Sequence, residues 1–384
     1  MSLRRLLPLL SLLVCLSAAH AATPAPTATP LPSAPTIAGD SHILLDFRTG
    51  RVLAEQNADK RVDPASITKI MTSYVVFRQL KSGSIALSDQ VTISEKAWRA
   101  PGSRMFIEVG KQISVENLLK GLIIQSGNDS SIALAEYVAG TEDAFAELMN
   151  QYAGQLGMEN SHFINATGLP AEEHKVTARD VAKLSRALIA EFPEYYNWYA
   201  EQEFTWNSIK QSNRNLLLYR DTRVDGIKTG HTEDAGYCLA ASAAEGDMRL
   251  ISVVMGTGSD RARADASQAL LNYGFRFFET HKLYSAGKEL MRSRVWKGAT
   301  DEVGLAPGED IYVTIARGRY DDLKAVMDVQ EQLVAPLGRE QTVGVVRVSL
   351  DGDELARAPL TPVAPVAEGS FFRRAVDAIL MMFE

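Results

Sequence analysis

Three short clusters in this chain bring hydroxyl, amide and amine side chains together at spacings that suit nucleophilic catalysis. In "DPASITK", residues 63–69, Ser66 and Lys69 stand at i and i+3 where the apolar run "IMTSYVVF" begins. That spacing stacks both side chains on one face of a helix. A serine hydroxyl is a poor nucleophile until a base takes its proton. A lysine serves as that base only when desolvation or cationic neighbours lower its pKa from about 10.4 towards neutrality. An apolar helix with its positive N-terminal end beside Lys69 acts in that direction. The spacing alone is common: "SAGK", Ser285 to Lys288, repeats it and reads as a surface coincidence.

The second cluster, "QSGNDSS" (125–131), sets Ser126 and Asn128 on a glycine turn between two helical runs. A hydroxyl and an amide held there can relay a proton and hold a peptide carbonyl. Taken alone, the plainer reading is that Asn128 or Asp129 caps the helix "SSIALAEY". The third cluster, Lys228-Thr229-Gly230 in "VDGIKTGHTEDAGYCLA", leads into, or forms part of, the strand before the second hairpin. Glycine there permits close backbone approach, and lysine plus threonine bind a carboxylate through one charge and one hydroxyl. By itself it reads as an exposed turn. What outweighs the three plain readings is joint occurrence, because SxxK, SxN and KTG follow in that order, about 60 and then 102 residues apart.

The elements that must position these groups are legible from periodicity. "SHILLDFRTGRVLAEQNAD" predicts a hairpin from Ser41, and "GYCLAASAAEGDMRLISVVMG" predicts a second, turning at Glu245-Gly246-Asp247. Between them, helical periods cover 66–81, 114–125, 129–139, 141–156 and 177–191, the last opened by Thr177 and Asp180 as a variant capping box. Strands at both ends with helices between them, joined by hairpins, imply an α+β domain with an antiparallel sheet covered by helices. A further helix is expected over 261–280. From 285 to 366, short alternating runs such as "IYVTIA" and "QTVGVVRVSL" predict a small all-β domain.

The two termini differ in composition. Residues 1–21 carry two arginines, a short apolar core and the small-x-small pattern Ala19-His20-Ala21, which reads as a cleaved export signal. Residues 22–40 are rich in Pro, Ala and Thr and read as a spacer that buries nothing. At the other end, 369–384 predict an amphipathic helix. Phe371, Phe372, Ala375, Val376, Ile379, Leu380, Met382 and Phe383 fall on one half of its wheel, opposite Arg373, Arg374, Asp377 and Glu384. Such a helix is suited to a membrane surface and too short to span one.

The 384 residues carry a formal net charge of −7 and no long Lys/Arg block, which argues against a nucleic-acid partner. With the leader removed, Cys238 is the one remaining cysteine and reads as a small buried strand residue. The histidines show no HExxH or short paired spacing, so no metal and no cofactor is expected.

From Ser41 onward the chain resembles the low-molecular-mass penicillin-binding proteins that are D-alanyl-D-alanine carboxypeptidases. The resemblance rests on "DPASITKIMT", "QSGNDSS", "DGIKTGHTEDAGYCLAASA", "RLISVVMG", the trailing β domain and the amphipathic tail. It implies acylation of Ser66 by a peptidoglycan stem peptide, with Lys69 as general base and Ser126 and Asn128 completing the proton relay and substrate hold. Lys228, Thr229 and Gly230 would bind the terminal carboxylate, with His231 and Arg214 near it. The oxyanion hole would be the N–H groups of Ser66 and His231. β-Lactam antibiotics would be covalent inhibitors, and the protein would lie in the periplasm on the outer face of the inner membrane. In "NATGLP", Thr167 stands where some relatives carry a histidine, which leaves no histidine there to assist deacylation. A serine β-lactamase shares the motifs but has no need of a further hundred residues and an anchor. A DD-endopeptidase uses the same chemistry, and a non-catalytic wall-binding protein would have no use for intact Ser66, Lys69, Asn128 and Lys228.

Overall fold

The apolar runs that bracket the helical region meet in one antiparallel sheet. In the computed structural model, which describes residues 31–383, its five strands lie in the order Val52–Gln56, Ser41–Asp46, Met248–Thr257, Gly236–Glu245, Val224–Thr232. Both faces are covered, which explains why "RLISVVMG" reads as a nearly unbroken apolar run rather than an alternation. Ile43, Leu45, Cys238, Ala240, Ile251, Val253 and Met255 point into the larger core, shared with the helices Lys69–Lys81, Asn128–Ala139, Glu142–Gln155 and Ala178–Glu191. Leu44, Leu239, Ala241, Leu250 and Val254 point the other way, under the helix Asp260–Phe277. The Thr177 hydroxyl accepts from Asp180 N at 3.1 Å, the cap expected from sequence.

Several elements depart from the periodicity reading. The helix expected from residue 66 begins at Lys69, and Ser66 sits in a preceding 3₁₀ turn, Ala65–Thr68, entered through Ala65 at φ +47°. The helix expected over 114–125 is α-helical only from Val115 to Lys120 and widens into a π turn, Gly121–Gln125. The last helix of this part ends at Phe277, three residues early, because Phe278–Tyr284 is a strand paired with Ile311–Ala316. That strand ends at Tyr284, directly before the stretch expected to be all-β. The expected leader, 1–21, and the spacer as far as residue 30 fall outside the described residues. Within the remainder of the spacer, Ile37 is buried in the core under the helix Asp260–Phe277, so this stretch does bury one large side chain.

After Tyr284 the chain is strand and turn as far as Pro362, apart from one 3₁₀ turn, Tyr320–Asp322. Its larger sheet has six strands, closed by a parallel pairing of Met291–Trp296 with Leu333–Val334. The separate pair Phe278–Tyr284 and Ile311–Ala316 is bonded to the first part through side chains: Thr280 donates to the buried Asp46 carboxylate at 2.8 Å, Thr49 and Thr314 hydroxyls meet at 2.7 Å, and Arg51 donates to Thr314 O.

The tail forms the helix Phe371–Leu380, capped by Ser370. Its polar side faces the β part: the Asp377 carboxylate accepts from Lys297 N at 2.6 Å, and Arg373 pairs with Asp301. Its apolar half is left bare, with Phe371, Phe372, Met382 and Phe383 all 72% or more exposed. No described helix is long and apolar enough to cross a membrane.

Candidate active site

The 3₁₀ turn that carries Ser66 is fixed from both sides. Ala65 and Ile67, its neighbours, are buried, while Ser66 faces a cleft of about 350 Å³. Gly168 presses on the turn at φ +82°; a Cβ there would lie 1.8 Å from Ala65 O. Gly230 closes on it from the sheet, since a Cβ there would come within 3.0 Å of Pro64 O and 3.2 Å of Ala65 Cβ. Any side chain at Gly230 pushes the strand away from the serine, which is the close approach that glycine makes possible.

Lys69 is the first residue of the helix behind that turn and is fully buried. Its Nζ stands 2.9 Å from Ser66 Oγ, 2.7 Å from Asn128 Oδ1 and 2.7 Å from Thr167 O. Burial, with the Arg214 charge nearby, brings its pKa down to about 7, the carboxylate of Asp129 opposing. A neutral amine has two hydrogens and one lone pair. The Asn128 and Thr167 carbonyl oxygens accept the two hydrogens and leave the lone pair for the serine hydroxyl. The Thr167 carbonyl is aimed by an Asx turn, in which Asn165 Oδ1 accepts from Thr167 N at 3.1 Å and from Gly168 N at 2.7 Å. The Thr167 hydroxyl also donates to Asn165, so this position serves Lys69 through its backbone.

The π turn delivers the SxN pair. It ends with Ser126 at φ +66°, buried against the cleft, its hydroxyl without a hydrogen-bond partner among the described residues. Single π turns inside helices recur at functional sites because they re-aim the chain that follows. Asn128 opens the next helix, yet it does not cap it: its Oδ1 accepts from Lys69, and its Nδ2 donates to Pro101 O at 2.6 Å. Asp129 reaches beyond its helix: its carboxylate accepts from Ser130 N at 2.9 Å within the first turn and also from Met105 N, Phe106 N and Ile107 N of the loop facing it.

The KTG cluster lies within the edge strand Val224–Thr232, where Lys228, Thr229 and Gly230 pair with Ala240, Leu239 and Cys238. Thr229, Gly230 and His231 line the cleft with Ser66, Ser126, Asn128 and Arg214. Lys69 and Lys228 are buried behind its wall. Lys228 Nζ donates to Thr229 O at 3.2 Å, and its pKa is driven well below the usual lysine range by burial and by Lys69, Arg214 and Arg263. His231 lies against the Tyr237 ring, centroids 3.9 Å apart. All nine candidate residues therefore gather at one cleft.

Sequence reasoning missed Arg263. Its guanidinium lines the cleft, donates to Gly230 O at 2.9 Å and to Cys238 O at 3.3 Å, and pairs with Asp260. It thereby pins the KTG strand while adding positive charge, and only its place in the buried stripe of the helix Asp260–Phe277 marks it. Cys238 is buried beside it, its thiol pushed up to about 11 by burial. Among the described residues no group of three or more His, Cys, Asp or Glu side chains is placed to hold a metal. Arg214 and Arg263 on the cleft lining supply positive charge, the setting for an anionic ligand.

A serine hydroxyl held against a desolvated lysine, facing a strand edge across a cationic cleft, is the arrangement of serine peptidases that work through an acyl-enzyme. The chain belongs to the D-alanyl-D-alanine carboxypeptidase family, whose model matches residues 28–259, and a model described as the C-terminal domain of penicillin-binding protein 5 matches residues 278–367. It is 46% identical to the D-alanyl-D-alanine carboxypeptidase DacA of Escherichia coli, over 96% of this chain and 93% of that one. It is 49% identical to the D-alanyl-D-alanine carboxypeptidase DacC of the same organism, over 91% and 90% of the two chains. The crystal structure of penicillin-binding protein 5 from Haemophilus influenzae superposes with a TM-score of 0.82 at 43% identity, over 88% of this chain and 99% of that one.

Proposed function

We propose that this chain trims the terminal D-alanine from peptidoglycan stem peptides through an acyl-enzyme on Ser66. Neutral Lys69 takes the Ser66 proton as Oγ attacks the carbonyl of the penultimate D-alanine. The oxyanion forms between the N–H groups of Ser66 and His231. The proton passes by way of Ser126 to the leaving nitrogen, free D-alanine departs, and water then cleaves the ester. Lys228, Thr229 and Arg214 hold the substrate's terminal carboxylate, with Gly230 and His231 on the same strand edge. A β-lactam acylates Ser66 in the same way through its ring carbonyl.

The observation that carries this reading is the contact set of Lys69 Nζ, two carbonyl oxygens and the serine hydroxyl, at a pKa near neutrality. In the same reading residues 1–21 export the chain and 22–40 space it from the leader. Residues 41–282 catalyse, 285–366 form the β domain, and 369–384 lie on the outer face of the inner membrane by their bare apolar half. Intact-mass spectrometry of residues 22–384 with penicillin, and then with diacetyl-Lys-D-Ala-D-Ala, tests the chemistry. The expected result is a lasting adduct on Ser66 with D-alanine release. Rapid labelling of the Ser66→Ala protein overturns it, and penicillin turnover without D-alanine release points to a β-lactamase.

A further inference from the structure

The loop that walls the catalytic cleft continues past it. Gly102 and Ser103 line the cleft, while Arg104, Phe106, Ile107 and Glu108, the next residues along, line a second hollow of about 400 Å³ closed by Trp98, Asn207 and Ile209. We propose that this hollow is an accessory subsite for the part of the peptide substrate that precedes its two terminal residues, with Arg104 binding a carboxylate there. The proposal rests on the carboxypeptidase reading of the cleft.

The wall is built to hold an exposed aromatic ring. Along Met105-Phe106-Ile107 the outer two side chains are buried, and Phe106 between them is turned outward, 46% exposed, at φ +67°. A bulky residue stays in that region only when its surroundings over-determine it, and such outliers cluster at functional sites. Here the surroundings are the buried Asp129 carboxylate, which accepts from all three successive amides. Asp129 adjoins Asn128, so the loop that shows Phe106 is fastened to the helix that supports Lys69. Gln211 Nε2 donates to Arg104 O at 3.1 Å and fixes the hairpin that carries Ile209 to the same loop. Trp98 and Ile209 add exposed apolar surface, each 41% exposed.

Arg104 stands at this platform with its guanidinium 5.6 Å from the centre of the Phe106 ring, and among the described residues it forms no ion pair, Glu108 in the same hollow included. Aromatic faces beside an unpaired guanidinium suit a chain with aliphatic segments and a free carboxylate. A peptide whose end lies at the Lys228–Thr229 strand and which leaves along the shared Ser103–Arg104 wall meets both features.

The test compares D-alanine release from diacetyl-Lys-D-Ala-D-Ala, which has no carboxylate upstream of its two D-alanines, with release from an N-terminally extended peptide carrying an upstream carboxylate and from its amidated counterpart. In the Arg104→Ala protein, kcat/KM for the carboxylate peptide should fall about tenfold, mainly through KM, with the short and amidated peptides unchanged. An equal loss on all three peptides overturns the subsite and makes Arg104 structural, as does a wild-type enzyme indifferent to amidation. Calorimetric binding of the extended peptides to the Ser66→Ala protein reads the hollow without turnover. Failure of the wild type to release D-alanine from the short peptide counts against the carboxypeptidase reading, while loss of the carboxylate preference in the binding experiment counts against the subsite.

Discussion

The catalytic cleft and the C-terminal tail invert the ordinary partition of side chains in opposite directions. At the cleft two lysines, Lys69 and Lys228, are buried with no carboxylate partner. At the tail phenylalanines and methionine stand in solvent while Asp377 and Arg373 face the protein. Each arrangement costs free energy in the isolated molecule, the first through desolvated charge and the second through exposed apolar surface. Each cost falls if a partner covers the group: an anionic peptide end at the cleft, apolar surface of any kind at the tail. The difference lies in rigidity. The cleft is over-determined by buried hydrogen bonds, as chemistry at a fixed distance requires, whereas the tail needs only a presented face.

The largest effect expected on this comparison is at Lys69. Lys69→Ala removes the base, and the rate of Ser66 acylation by penicillin should fall roughly a thousandfold, within the range for a positioned general base. In the wild type the neutral amine is the reactive form. With its pKa near 7, the acylation rate should therefore climb between pH 5.5 and 8.5 and level off above. Stopped-flow acylation across that range checks it, and a flat profile removes Lys69 from the role.

The motif residues were legible because their chemistry is carried by side-chain type and their spacing by helix and strand geometry. The parts that aim them were not. Thr167 acts on Lys69 through its carbonyl, and a carbonyl leaves no mark in a sequence. Arg263 sits in "RARADAS", where its neighbours make it look like part of a solvated face. Asp129 reads as a helix cap because Asp favours that place, and only tertiary structure shows it serving a loop more than twenty residues earlier. Short pairings such as Gln90–Thr92 with Gln112–Ser114 lack the length for periodicity to register. The sheet, its covering helices and the tail were legible for the converse reason, since long elements average over local exceptions.

A smaller effect is expected at the tail. Deleting 369–384 should release the protein from phospholipid vesicles while leaving kcat/KM on the short tripeptide unchanged, because the residues that line the cleft all lie between Ser66 and Arg263. Phe372→Ser alone should weaken vesicle binding about tenfold, the scale of one buried aromatic side chain. Co-sedimentation measures both. Retention of the truncated protein on vesicles would assign the bare face to some other partner.

The smallest effect sharpens the comparison from beneath the cleft. His174 is buried under the serine turn, its Nε2 3.0 Å from Thr68 Oγ1 and its Nδ1 accepting from Ile164 N at 3.4 Å, so the neutral ring donates to the threonine between Ser66 and Lys69. Burial, helped by His162 and Lys175 and opposed by Asp63, pulls its pKa down to about 4. The unfolded chain takes up a proton near pH 6.5 while the native ring stays neutral, so the unfolded state binds more protons across that window and stability falls as pH drops from about 6.5 to 4. The loss from this one group approaches roughly 3 kcal/mol at the lower end. His174→Gln keeps a donor for Thr68 and does not titrate. Its acylation rate at pH 7.5 should stay within a few-fold of wild type, and urea unfolding at pH 7 and pH 4.5 should show a clearly smaller acid-induced loss than in the wild type. An unchanged pH dependence would place the acid sensitivity of the serine turn elsewhere and leave His174 a packing residue alone.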